Sequence, residues 1–281
     1  MTASIHLAAT EKPKSCAIAL HSSLGSGRQW AWLTEALGRD YQVITPDISG
    51  YGDNPGPGQL PTTLAKEVEL LSDHISQLAG PLHVVGHSYG GAVAFKIATA
   101  SPFASRVRSL TLIEPVLPTL LRDSEADRRL HERFVRVAHE VREDLSNGLL
   151  MEALGKFTGF WNGSAPPKPI SPGACLRMIE HIEKLAFDFA AVLAEDDVAV
   201  AASAIRVPTL LLSGGLSPYM TQRIVGRLSS LIAGAEVRHL SAAGHMLPFS
   251  HADKVCPEIL RHIARAEDAA RPSLAASING P

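Results

Sequence analysis

Leu82-His83-Val84-Val85-Gly86-His87-Ser88-Tyr89-Gly90-Gly91 is the stretch on which the reading of this chain turns. Its first residues, rich in Val and Leu, predict a strand, and the pattern from Tyr89 onward predicts a helix. Gly86-His87-Ser88-Tyr89-Gly90 lies at the junction and has the Gly-x-Ser-x-Gly form of a sharp strand-to-helix turn that presents a serine. Glycine suits 86 and 90 because strand and helix approach closely there. Ser88 would stand at a helix N-terminus, where free N–H groups and the helix dipole favour developing negative charge. An ordinary Gly-rich turn has the same letters. The flanking strand and helix favour the chemical reading.

Outward from this turn, short apolar runs alternate with helical patterns, which predicts a mainly parallel sheet with crossover helices. Strands are expected at 15–22, 42–48, 82–86, 107–113, 208–213 and 236–240, with helices at 28–37, 62–78, 89–99, 220–231 and 251–266. Cys16-Ala17-Ile18-Ala19-Leu20 shows no apolar–polar alternation, as a strand buried on both faces should not. Between 117 and 204 the strand signal stops. Leu130, Phe134, Val137 and Val141 form one helical stripe, and Met178, Ile182, Leu185 and Phe189 another. A loop at 159–173, with prolines at 166, 167, 169 and 172, separates them. The chain therefore divides into a core, 1–116 with 205–266, a helical cap, 117–204, and an Ala/Ser/Pro-rich tail, 267–281.

A serine is a poor nucleophile at neutral pH without a base, and histidine suits that task. Position must choose among 12 histidines. His245, in Ala243-Gly244-His245-Met246 after the last strand, lies where a loop folds back over Ser88. His87 is read as structural, and His131 and His139 as surface residues on the polar side of a helix. The run His21-Ser22-Ser23-Leu24-Gly25 follows the first strand, so the backbone N–H of Ser23 and that of Tyr89 are the expected oxyanion donors. A polar connecting loop is the plainer reading of that run.

In order, the His-x-x-x-Gly run, Pro46-Asp47 with Gly50-Tyr51-Gly52, the Ser88 turn and the final Gly-His resemble the α/β-hydrolase superfamily over about 15–266. The likeness is to its small bacterial esterase, lactonase, carbon–carbon hydrolase and cofactor-free haloperoxidase branches. It implies the α/β-hydrolase fold, a mainly parallel sheet flanked by helices with a helical cap. It implies little about substrate. Two departures stand out. Superfamily members have two strands ahead of the one at 15–22, and here Ile5-His6-Leu7-Ala8 offers one short strand at most. Relatives usually carry Asp soon after the strand at 208–213, where this chain reads Ser213-Gly214-Gly215-Leu216-Ser217-Pro218-Tyr219, and some members place the acid after the strand at 107–113 instead. Glu114, after the strand at 107–113, is the replacement acid. Its rivals are a strand-capping role for that carboxylate, a Ser–His dyad aided by Ser217, and the weaker candidates Asp196 and Asp197. Asp47 is read as a loop-holding residue.

Net charge is −2, from 26 basic and 28 acidic residues. That balance leaves no basic patch for nucleic acid or an anionic membrane. The N-terminal residues lack signal-peptide form and no run approaches about 18 apolar residues, so a soluble cytoplasmic protein is expected. Cys16, Cys175 and Cys256 have neither disulfide nor metal spacing. No metal or cofactor is implied, and the expected partner is a small-molecule substrate. Oligomeric state stays open, with a homodimer among the options. Phe157, Phe160, Trp161, Met178, Leu185 and Met246 are the expected pocket lining. The expected activity is hydrolysis of a small or medium apolar ester, thioester or lactone through an acyl group on Ser88. A carbon–carbon hydrolase, lyase or acyltransferase would use the same residues, and a non-catalytic small-molecule receptor would explain a missing acid.

Overall fold

A computed structural model describes residues 15–38, 40–165 and 169–270. The short strand expected at 5–8 lies outside them. In chain order the elements begin with β1 (Cys16–Leu20), α1 (Ala31–Leu37), β2 (Gln42–Ile44), α2 (Leu64–Leu70), α3 (Ser72–Ser76), β3 (Leu82–His87), α4 (Tyr89–Ala100) and β4 (Val107–Ile113). Five helices follow: α5 (Glu125–Ser146), α6 (Leu150–Asn162), α7 (Pro172–Glu180), α8 (Lys184–Leu193) and α9 (Val198–Ala204). The chain closes with β5 (Thr209–Gly214), α10 (Tyr219–Leu231), β6 (Glu236–Leu240), α11 (Leu247–Ser250) and α12 (Ala252–Ala270).

The six strands form one parallel sheet in the order β2-β1-β3-β4-β5-β6. Its two faces are both buried, and the period of two along each strand sorts side chains between them. Cys16, Ile18 and Leu20 of β1 pack with Leu64, Val93 and Ile97 on one side, while Ala17 and Ala19 pack with Trp30, Leu33 and Ile259 on the other. That double burial is why the central strands read as unbroken apolar runs. No helix among the described residues is long and apolar enough to cross a membrane.

Several expectations need correction: the strand at 42–48 covers only Gln42–Ile44, and the helix at 62–78 is two, α2 and α3. The stripe Met178–Phe189 is not one helix: α7 ends at Glu180 and α8 begins at Lys184. The break turns the chain so that Ile182, Leu185 and Phe189 enter the core while Met178 stays half-buried. The loop expected from 159 starts later, because α6 runs to Asn162. The tail expected from 267 also starts too early. Helix α12 continues to Ala270, and Glu267 accepts hydrogen bonds from Ser15 Oγ (2.8 Å) and from His83 Nε2 (2.9 Å). Those contacts hold its last turn against the edge of β1 and β3.

Candidate active site

Parallel strands all end on one edge of the sheet, so the loops after β1, β3, β4 and β6 converge there. The turn after β3 carries Ser88 at φ 56° and ψ −119°, a left-handed conformation rare for a residue with a side chain. It is held because Ser88 N donates to Ile113 O (3.0 Å) and Ser88 O accepts from Gly91 N (3.0 Å) and Val116 N (3.1 Å). Gly90 is required by space: a Cβ there would sit 2.4 Å from the carbonyl oxygens of Leu20 and His21.

Ser88 Oγ lies 2.9 Å from His245 Nε2, and His245 Nδ1 lies 2.6 Å from Glu114 Oε2. The structure thus brings together the three residues singled out in the sequence, all at most 5% exposed. Glu114 also has a positive φ, 43°. Its second oxygen, Oε1, accepts from Gly214 N at 2.6 Å. Gly214 ends β5, beside the segment where an Asp was missing, so Glu114 reaches across from β4 to serve the same histidine. The rivals lie elsewhere. Ser217 Oγ has no hydrogen-bond partner among the described residues, and Asp196 pairs with Arg122 at the surface (3.1 Å). Asp47 accepts from Gly27 N and Asp53 N, as a loop-holding residue does.

His87 is buried and fixes His245 from behind. Its Nε2 donates to the backbone carbonyl of His245 (2.8 Å), and its Nδ1 accepts from Gln29 Nε2 (3.1 Å). Burial holds its pKa well below the ordinary histidine value, with the nearby His245 acting in the same direction. Gln29 Oε1 in turn accepts from Ser22 N (3.2 Å). His21, ahead of Ser22, accepts from Ile48 N at Nε2 (2.9 Å) and donates from Nδ1 to Ser22 O (2.8 Å). Burial lowers its pKa to about 4. Neutral His87 and Gln29 therefore tie the β1 loop to the Ser88 turn, and neutral His21 ties the same loop to Ile48. The backbone N–H groups of Ser23 and Tyr89 donate to no other group among the described residues.

Two cavities meet at Ser88 beneath Phe157 and Trp161 of α6. The outer one, about 450 Å³, is lined by Leu24, Ile170, Met178, His245 and Met246 among others. The inner one, about 20 Å³, is lined by Ser23, Tyr89, Val116, Leu185, Asp188 and Val192 among others. Five of the six expected lining residues therefore face a cavity. Phe160 does not: its ring packs on Trp161 (centroids 4.9 Å) and Phe134 (5.9 Å), with the Arg133 guanidinium 5.8 Å from its centroid. Phe157 and Trp161 are four residues apart and share a helix face, whereas Phe160 points about 100° away from Trp161. Trp161 also stacks on His245, with ring centroids 4.3 Å apart and planes 17° apart.

A family model described as "Alpha/beta hydrolase family" matches residues 17–258. The chain belongs to the alpha/beta hydrolase family. It is 35% identical to Lipase LipV of Mycobacterium tuberculosis over 101 residues, which is 36% of this chain and 37% of that protein. It is 35% identical to a soluble epoxide hydrolase of Corynebacterium sp. over 83 residues, 29% of this chain and 28% of that protein. The chain thus aligns with well under half the length of these relatives. Similar solved structures include MenH from S. aureus (TM-score 0.74, 20% identity, 92% of this chain and 96% of that one). Another is the enol-lactonase from Burkholderia xenovorans LB400 (TM-score 0.65, 19% identity, 91% of this chain and 94% of that one). At such identities they show the fold alone.

One part of this alpha/beta hydrolase's site escapes a sequence reading. Lys184, fully buried, sits 2.6 Å from Asp188 Oδ1 and 3.1 Å from Glu67 Oε2. Asp188 Oδ2 accepts from Ser23 Oγ (2.5 Å) and Tyr51 OH (2.6 Å), and Glu67 Oε2 accepts from Tyr89 OH (3.1 Å). The side chains of both expected oxyanion residues thus end on one ion cluster that joins cap helix α8 to the core. Burial pulls the Lys184 pKa down, but Asp188 and Glu67 outweigh it and the net shift is upward. Burial raises Glu67, and Lys184 offsets part of that. The available signal was compositional. Lys184 and Asp188, four apart, are the charged residues of the otherwise apolar helix Lys184-Leu185-Ala186-Phe187-Asp188-Phe189-Ala190-Ala191-Val192-Leu193.

Proposed function

We propose that this alpha/beta hydrolase cleaves small or medium apolar carboxylic esters, thioesters or lactones through an acyl-enzyme on Ser88. The observation that carries this reading is the unbroken hydrogen-bond chain Ser88 Oγ, His245 Nε2, His245 Nδ1, Glu114 Oε2, with steps of 2.9 and 2.6 Å. His245 takes the proton of Ser88 Oγ as that oxygen attacks the substrate carbonyl carbon. The carbonyl π pair moves onto oxygen, and the amides of Ser23 and Tyr89 hold the resulting oxyanion. Glu114 fixes the Nδ1–H tautomer and balances the imidazolium charge, which also lies against the electron-rich face of Trp161.

Collapse of the tetrahedral intermediate breaks the carbon–oxygen (or carbon–sulfur) bond, and His245 Nε2 gives its proton to the leaving group. Water, deprotonated by His245, then attacks the acyl carbon and frees Ser88 with release of the acid. The outer cavity's apolar side chains, Leu24, Phe157, Ile170, Met178 and Met246, support an apolar rather than a charged substrate. The Corynebacterium relative is called an epoxide hydrolase, but epoxide opening in this fold uses an aspartate nucleophile, and position 88 is serine. A carboxylate 2.6 Å from His245 supports the hydrolase over the receptor reading.

A fluorophosphonate probe tests the reading directly. Covalent labelling lost in Ser88→Ala, with turnover of p-nitrophenyl esters lost in the same variant, is the expected result. Well-folded wild-type protein that takes no label would overturn it.

A further inference from the structure

The inner and outer cavities share Ser23, Ser88, Phe157 and Trp161, yet His245 lines the outer one and not the inner one. This asymmetry has a stereochemical meaning if Ser88 forms an acyl-enzyme, the reading on which the inference rests. The leaving atom must be protonated by His245 Nε2, so the leaving group has to lie on the His245 side. With the oxyanion directed to the amides of Ser23 and Tyr89, the remaining substituent of the carbonyl carbon, its acyl chain, is left to point away from His245. Away from His245 lies the inner cavity.

We infer that the inner cavity is an acyl subsite for a short acyl group, and that the outer cavity holds a larger apolar leaving group. At about 20 Å³ against about 450 Å³ the inner cavity is much the smaller of the two, and Ser23 and Tyr89 stand in its wall, so the acyl chain it admits is short. Its walls are closed by buried side chains: Val116, Phe134, Leu185, Phe189 and Val192 are each at most 6% exposed. The charged group in the wall, Asp188, is already occupied. Its Oδ1 is held by Lys184 and its Oδ2 by Ser23 and Tyr51, so it offers nothing to a cationic acyl chain and repels an anionic one. The outer cavity, at about 450 Å³, has more than twenty times the volume and room for a chain of several carbons. The class of substrate is thus a short-chain acyl ester of a bulky apolar alcohol, not a long-chain fatty acid ester.

Isomeric esters separate the two orientations, since octyl acetate and ethyl octanoate contain the same atoms with the long chain on opposite sides of the ester. Wild-type enzyme is expected to hydrolyse octyl acetate with a kcat/KM at least about tenfold above that for ethyl octanoate, because even one surplus methylene in a closed pocket costs about 10-fold or more. Leu185→Ala, which removes a wall of the inner cavity, should raise ethyl octanoate turnover relative to octyl acetate. Val192→Ala provides the same test with a smaller core deletion should Leu185→Ala not fold. Equal rates on the two esters, or a preference for ethyl octanoate, would overturn the assignment. So would a preference unmoved in both folded variants, or labelling of Ser88 by fluorophosphonate with neither ester cleaved. Absence of that labelling would instead overturn the serine-hydrolase reading itself.

Discussion

Ser88 and Glu114 share a backbone property that ordinary side chains avoid, a positive φ, at 56° and 43°. Each such residue costs on the order of 1–3 kcal/mol and persists only where its surroundings over-determine it. Here the strands supply that constraint: Ser88 N bonds Ile113 O, and Glu114 N bonds Leu212 O at 3.0 Å. The two strained residues flank adjacent strands, β3 and β4, and their side chains meet at His245 from opposite sides. Glu114→Gln should therefore fold normally while kcat falls by several orders of magnitude, up to about 10⁴, because an amide fails to hold the imidazole tautomer and its positive charge. Steady-state kinetics beside a thermal melt checks this, and near-normal turnover would remove Glu114 from the mechanism. Trp161→Leu takes away the ring stacked on His245. Its expected cost is about 2- to 30-fold in kcat, the rate equivalent of about 0.5–2 kcal/mol of lost imidazolium stabilisation.

At the scale of elements, the turn from β3 into α4 and the cap helix α8 carry the site. Gly90 touches the carbonyls of β1 so closely that Gly90→Ala should lower the melting temperature and disorder the Ser88 turn together, since the obstruction at 2.4 Å is backbone. Helix α8 is fastened by the buried Lys184 between Asp188 and Glu67. Lys184→Met leaves two buried carboxylates without their cation and should cost about 3–5 kcal/mol in urea denaturation. Adding Glu67→Gln in that background should recover part of the loss by removing one unpaired charge, and an additive or larger loss would contradict this account. The sequence shows the apolar character of α8 and the spacing of its two charges. It does not show that their partner, Glu67, lies 117 residues earlier on α2.

For the whole molecule, buried histidines set the direction of pH sensitivity. His21 has a folded pKa of about 4, below its ordinary value of 6.5. The unfolded chain therefore binds a proton between those values that the folded chain refuses, so stability falls as pH drops from 6.5 and the loss is complete near 4. That one group contributes about 3 kcal/mol to the change. His87, His83 and His262 are lowered by burial and act in the same direction, as do the lowered carboxylates Asp127 and Glu258. Glu67, raised by burial, opposes them. Urea midpoints measured from about pH 7.5 down to about pH 4 should fall steadily, with net proton uptake on unfolding. A flat profile across that range would contradict the burial of these rings.

Local pattern and residue chemistry were enough to determine much of this protein. The apolar runs mark strands whose faces are both buried, Gly-x-Ser-x-Gly marks a turn with one steric solution, and the ordered positions of Ser88 and His245 follow from strands that all end on one edge. Glu114 was singled out through the resemblance, which implies an acid after β5 or β4, and of the two only β4 is followed by one. Tertiary structure alone decided what depends on distant pairs. It set Phe160 away from the cavities and Phe157 and Trp161 over them, broke the stripe between α7 and α8, and kept Glu267 within α12 through Ser15 and His83. It also gathered Lys184, Asp188, Glu67 and Tyr51 behind Ser23 and Tyr89. Periodicity reports which face of an element is buried, but not against what. The partner is chosen by packing in three dimensions, where residues far apart in the chain compete for the same few ångströms.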